Sequence, residues 1–268
     1  MATVAEPRDG EPEQRAPAPL ERGRTWRAPS LTELTPSGER LLVTPIGPEM
    51  VARVPLNLPR DTWRWVWKDI LTRLVPFVAA SWAWARFSRR GAEEVGLRGD
   101  DLLSDTLLGV AVGLPLAQIS AVFRRWVSPQ YRLPTPADHT IQTAYYFILN
   151  APAEELFWRG IVQSLSIRAL RQAPGLRRVA GLLGWASATA AVGAYHRLGG
   201  WSWRSIAGVT AAGGLFGALY ALPQRKSLVP AIIAHGFATT GFLNLGDAAL
   251  YALHMRRLRQ TARKRGRR

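Results

Sequence analysis

The sequence predicts an all-α fold: a polytopic transmembrane helical bundle of about six spans behind a mostly disordered N-terminal tail. Three observations predict it. The first is an acid desert. Of 19 acidic residues in 268, eight lie in residues 1–60, and only Asp138, Glu154 and Glu155 lie between Asp105 and Asp247. A soluble domain of that length needs far more surface charge, so the near-zero mean hydropathy of -0.04 averages two unlike regions. The second is a series of apolar segments of the length that crosses roughly 30 Å of hydrocarbon. The third is where the basic and aromatic residues fall. Arg124 and Arg125, Arg177 and Arg178, and Arg225 and Lys226 sit at the ends of apolar runs, as do Trp63, Trp65, Trp67, Trp126, Trp201 and Trp203. Ends of spans are where guanidinium groups and amphipathic rings meet the interface.

Residues 1–60 carry ten of the 19 prolines with eight acidic and eight basic residues, a composition of disorder. Within them Glu39 to Leu56 reads either as two short strands around Ile46-Gly47-Pro48 or as an extended linker. Residues 1–25 lack an apolar stretch of signal-peptide type, so insertion is expected through the internal spans. The spans are expected at Ile70–Phe87, Leu102–Phe123, Thr140–Ile167, Val179–Tyr195, Ser205–Leu222 and Leu228–Leu253. The first is expected to be short, broken by Pro76 and partly interfacial. Gly and Ala recur through the later ones and allow close helix approach, a packing role.

The expected organisation is therefore an N-terminal region over 1–60, a helical membrane domain over 61–254 and a basic tail over 255–268. The tail holds eight basic residues and no acid, which suits a cytoplasmic anchor on anionic lipid. Basic Arg60, Arg64 and Lys68 agree with both ends inside. The loop with Arg171, Arg177 and Arg178 then falls outside, against the positive-inside rule. The net charge of +16 suits either nucleic acid or a membrane surface; beside these spans the partner expected is membrane lipid, not nucleic acid. The chain has no cysteine, which excludes disulfides, Cys-ligated zinc and thiol catalysis. An Arg-, Ala- and Trp-rich composition fits a GC-rich bacterial genome and a multi-pass inner-membrane location.

The stretch that carries chemistry is Asn150-Ala-Pro-Ala-Glu-Glu-Leu-Phe-Trp-Arg-Gly160, two adjacent carboxylates in an apolar run. Ionisable groups at membrane depth are costly and mark function. On a helix Glu155 and Arg159 share a face four residues apart and pair. Glu154 is turned away by about 100° and is expected to be unpaired, a buried carboxylate suited to a general base. Pro152 is expected to start or kink this helix. Of four histidines, His139 and His254 lie at segment edges, His196 ends VGAYH, and His235 sits mid-span with Thr239 on its face. A Glu, two His and a hydroxyl suit a water-activating site, with the His groups steadying the oxyanion of a peptide carbonyl. Taken singly, a His on an apolar helix is more often a helix–helix hydrogen-bond donor and a Glu–Arg pair more often a brace.

These residues resemble the CPBP family, the CAAX protease and bacteriocin-processing or Abi proteins. EELFWR, Glu154 to Arg159, matches the family's EExxxR. His196 stands in the second motif, usually FxxxH, and His235 opens the third, usually HxxxN or HxxxD. The resemblance covers about Ala137 to Leu245. It implies a helical intramembrane endopeptidase in which Glu154 activates water, Glu155 and Arg159 brace the helices, and His196 and His235 complete the catalytic site. The family has been described both as metalloproteases and as metal-independent glutamate proteases. Glu154, His196 and His235 would also suit zinc, but no HExxH is present. Two positions depart from the pattern: Val192 replaces the usual Phe, and Thr239 the usual Asn or Asp. A Thr hydroxyl donates but is shorter and often bonds its own backbone.

The expected function is hydrolysis of a peptide bond in a membrane protein or peptide by a Glu-activated water. The alternative is a catalytically inactive membrane adaptor or immunity-type protein of the same fold, motivated by Thr239. A proton-relaying, transporter-like role is a third reading.

Overall fold

The computed structural model describes residues 33–34, 39–42, 52–55, 66–88, 91–98, 100–127, 136–199, 201–221 and 226–265. Most of residues 1–60, and so the expected N-terminal disorder, lies outside the described residues. Three short strands are described there: β1 (Glu33–Leu34), β2 (Glu39–Leu42) and β3 (Ala52–Pro55). They form an antiparallel sheet in the order β1-β2-β3, with Arg40 opposite Val54 and Leu41 opposite Arg53.

From residue 66 the described chain is helical. A π turn at Ile70–Leu74 leads into α1 (Val75–Phe87), and a 3₁₀ turn at Gly91–Val95 precedes α2 (Leu102–Val127). Next come α3 (Pro136–Ala144), a π turn (Tyr145–Asn150), α4 (Ala151–Glu155), a second π stretch (Leu156–Gln163) and α5 (Ser164–Gln172), without a break. The chain then forms α6 (Ala180–Leu198), α7 (Trp203–Ala221), α8 (Val229–Thr240), a π turn (Gly241–Leu245) and α9 (Gly246–Arg265).

The expected break at Pro76 does not occur. Helical structure runs unbroken from residue 66 to Phe87, because Pro76 follows directly on the π turn. There the Val75 N–H reaches back five residues to Ile70 O, and the wider turn relieves the clash between a proline ring and the carbonyl four residues earlier. Pro152 uses the same device: it follows the turn Tyr145–Asn150, where the Ala151 N–H bonds Tyr146 O. Proline is thus admitted at the second residue of α4, two residues before Glu154.

Two buried clusters fix the helices around that pair. Val66, Leu74, Tyr145, Tyr146 and Ala153 tie the first helical run to the third. Phe216, Leu219, Ala231, Ala234 and Ala238 join α7 to α8, with Leu108, Val112 and Leu116 of α2 packed against them. The α2–α8 contact continues into the next turn at backbone distance. A Cβ on Gly241 would stand 2.3 Å from the Ala117 carbonyl oxygen, so only glycine permits this approach.

Among the described residues one helix, Leu102–Arg124, is long and apolar enough to cross a membrane by length and composition. Its Leu103, Leu107, Leu114, Ile119 and Val122 point outward and are exposed, a run that water would penalise and hydrocarbon would not. At the other end of the chain, α9 carries the helix through the expected tail boundary to Arg265.

Candidate active site

The short helix α4 ends on Glu154 and Glu155, both buried. Glu155 behaves as its spacing requires. Its Oε2 accepts a hydrogen bond from Arg159 Nε at 3.0 Å, and both side chains are 1% exposed. Its Oε1 accepts from His235 Nδ1 at 2.7 Å, which ties α8 to α4 across 80 residues of sequence. A carboxylate on Nδ1 fixes the imidazole's tautomer and orientation. The ring is also stacked on Phe216, with centroids 4.9 Å apart and planes 11° apart. The other nitrogen, Nε2, then lies 3.9 Å from Glu154 Oε2. His235 therefore stands between the two carboxylates, hydrogen-bonded to one and facing the other.

Glu154 is not unpaired, as its place on the helix suggested. Its Oε1 accepts from Asn150 Nδ2 at 3.1 Å and is ion-paired with Arg73 Nη1. Arg73 is in turn held by Asp69, four residues earlier, with Nε 2.8 Å from Oδ1 and Nη2 bonded to Oδ2. The Tyr145 hydroxyl donates to the same Asp69 carboxylate. A guanidinium offers a planar fork of five donors, so it can grip one carboxylate with two arms and reach a second with another. Glu154 Oε2, by contrast, has no hydrogen-bond donor among the described residues.

His196 and Thr239 are placed differently. His196 lies in the last turn of α6, buried, with Nδ1 2.8 Å from Val192 O. The carbonyl can only accept, so Nδ1 is the donor, and a neutral ring then presents its lone pair at Nε2. Trp201 packs against the ring edge-on, with centroids 4.6 Å apart. Among the described residues His196 makes no hydrogen bond or ion pair with Glu154, Glu155 or His235. Thr239 makes no hydrogen bond to Glu154, Glu155 or His235 either. Thr239 stands four residues after His235 in α8, on the same helix face, and its hydroxyl is shorter than the amide or carboxylate usual there. The side chains of His139 and His254 lie outside the described residues.

Val192, in the place of the second motif's Phe, has its aromatic bulk supplied from elsewhere. Phe77 of α1 packs beside it with Trp158, stacks on Phe157 at 4.2 Å and meets Tyr195 at 5.8 Å.

Among the described residues no three His, Asp or Glu side chains stand together as a metal-binding group. Of the set considered for zinc, His235 spends Nδ1 on Glu155, Glu154 spends Oε1 on a guanidinium, and His196 joins neither. The arrangement does not fit a zinc ion held by these three. An open apolar groove runs between α6 and α7, lined by Trp185, Thr189, Trp203, Ile206, Thr210 and Gly214; no residue of the carboxylate site lines it.

Asp69, Arg73, Tyr145 and Asn150 are members of the site that the sequence reading passed over. The signal was present for one of them: Arg73 is a charge within the apolar run Ile70–Phe87, the criterion that singled out Glu154 and Glu155.

The fold and the site together define a helical protein with a buried Glu–Glu–Arg–His cluster on one apolar helix pair. Residues 136–241 match the family model described as type II CAAX prenyl endopeptidase, Rce1-like. That segment holds all three motifs, so the resemblance to CAAX proteases of the CPBP family is borne out across it. The family is one of membrane-embedded proteases. Neither a curated protein nor a solved structure matches the chain.

Proposed function

We propose that the chain is a multi-pass intramembrane endopeptidase of CAAX type, which hydrolyses a peptide bond with a water activated by Glu154. The observation that supports this most is His235 held between two carboxylates, its Nδ1 on Glu155 and its Nε2 3.9 Å from Glu154 Oε2. In this reading water sits at Oε2, the oxygen without a donor, and gives its proton to Glu154 as it attacks the carbonyl carbon. The oxyanion that forms takes a hydrogen bond from Nε2–H of His235 in its imidazolium form, whose Nδ1–H Glu155 keeps oriented as a buried acid does in a triad. His196, whose Nδ1–H is held by the Val192 carbonyl, joins in supporting this oxyanion only when its Nε2 also carries a proton. Glu154 then passes its proton to the departing amine. Arg159 braces Glu155, and no step passes through a metal.

The wider reading has six spans in lipid, both ends on the cytoplasmic face of a bacterial inner membrane, and a basic tail against anionic headgroups. The substrate class is a prenylated C-terminal peptide, the class in the matched family's name.

The test is cleavage of an internally quenched, farnesylated CAAX peptide by the purified protein in anionic proteoliposomes. Glu154→Gln is expected to abolish turnover by about a thousandfold or more, the scale of losing the base that activates the nucleophile. Turnover retained in Glu154→Gln would sink the mechanism. The inactive-adaptor reading draws on one observation, that Thr239 makes no hydrogen bond to the site. It predicts that the wild-type protein leaves the peptide intact and that Glu154→Gln changes nothing.

A further inference from the structure

We propose that Arg73 is a positioning residue of the Glu154 site, delivered by the first described helix from outside the segment that matches the protease family. The inference rests on the Glu154 reading for its meaning and on separate geometry for its content. Arg73 lies 81 residues from Glu154 in sequence and outside residues 136–241. Its guanidinium is not a loose counter-ion. Asp69 takes two of its arms, and Tyr145, one turn before α4, shares the Asp69 carboxylate. Val66 and Leu74 on the same run pack against Tyr145 and Ala153. The fork therefore has little freedom, and what it fixes is Glu154 Oε1.

That choice of oxygen matters. With Arg73 and Asn150 both on Oε1, the carboxylate plane is set and Oε2 is left as the oxygen that faces His235. A carboxylate free to spin would offer its lone pairs to water in every direction, and misplacement of a reacting group by about 1 Å costs on the order of a hundredfold. Asp69 answers part of the guanidinium's charge, so Arg73 grips Glu154 without presenting a bare cation. The pair of acids around one arginine thus aims the proposed base. Thr239 makes no hydrogen bond to the site, so orientation comes from the first helix where the third motif does not supply it.

The experiment reads the clamp with and without turnover. Dicyclohexylcarbodiimide adds to protonated carboxyls in apolar surroundings and reacts slowly with an ion-paired carboxylate. Labelling of Glu154 in proteoliposomes, measured by peptide mass spectrometry, is expected to rise about fivefold or more in Arg73→Gln and to stay near wild type in Arg73→Lys. In parallel, kcat on the farnesylated peptide is expected to fall about tenfold or more in Arg73→Gln at little-changed KM, with partial recovery in Arg73→Lys. Unchanged labelling in Arg73→Gln overturns the clamp. If Arg73→Gln does not fold, Arg73→Lys carries the test: it keeps a cation and loses the fork, so a lowered kcat supports the proposal and an unchanged kcat overturns it. If Glu154→Gln cleaved normally while labelling rose in Arg73→Gln, the general-base reading would fall and the clamp would stand.

Discussion

Glu155 and Arg159 show how far one spacing carries. Four residues apart on a helix they had to share a face, and they do, each 1% exposed. Removing one partner of a buried pair leaves a charge with no solvent and costs about 3–5 kcal/mol. Arg159→Leu is therefore expected to lower stability by that amount, read as a fall in detergent unfolding midpoint. Arg159→Leu with Glu155→Leu should recover part of it, although His235 then loses the acceptor on Nδ1. Additive losses in the double variant would show that the two side chains do not act as a pair. Glu154 marks where such reading stops. Its helix position said only that it faces away from Glu155; the partner comes from residue 73, and nothing in local spacing reports a contact 81 residues distant. His235 was legible as a histidine inside an apolar segment, but its allegiance was not. It hydrogen-bonds Glu155, the residue expected to act only as a brace, because α8 crosses α4 beside that carboxylate.

At the level of helices, apolar runs were readable from composition and their internal geometry was not. Helices occupy the segments expected as spans among the described residues, and one of them, Leu102–Arg124, has the length and hydropathy to cross a membrane. The π turns left no such mark: shifting a backbone bond from the fourth residue to the fifth changes no side chain's polarity. Pro76 therefore reads as a break and Pro152 as a start or kink, when each is seated just beyond a π turn. Close approach, by contrast, is written in glycine. Gly241 meets the Ala117 backbone and Gly184 meets that of Ile167. Gly241→Val is expected to part α2 from the α8 end and to destabilise by about 1–3 kcal/mol or more, measured as a lowered unfolding midpoint. Gly181, with open space where its Cβ would stand, is the control, and Gly181→Ala should change little. Equal effects at both positions would mean that helix propensity, not contact, decides.

For the whole chain, the absence of cysteine makes membrane topology directly measurable, since any single Cys introduced is the only one. With both ends inside, Cys at Ala173 should react with an impermeant maleimide in right-side-out vesicles, and Cys at Thr261 only after the membrane is opened. The reverse pattern would invert the proposed orientation and bring the chain into line with the positive-inside rule around Arg177 and Arg178. The four π stretches, at Ile70–Leu74, Tyr145–Asn150, Leu156–Gln163 and Gly241–Leu245, bear on how such a chain can change over generations. Each holds a surplus residue relative to an α-helix. Deleting one amino acid there would let the turn relax to ordinary winding while the residues beyond it keep their facing, whereas the same deletion inside an unbroken α-helix would swivel them by about 100°. Around Glu154 and His235 the π turns therefore offer places where one residue can be lost without turning either side chain away from the other. Lineages of this protein can thus lose a codon at a π stretch and keep the buried cluster together, where the same loss within α4 or α8 would disperse it.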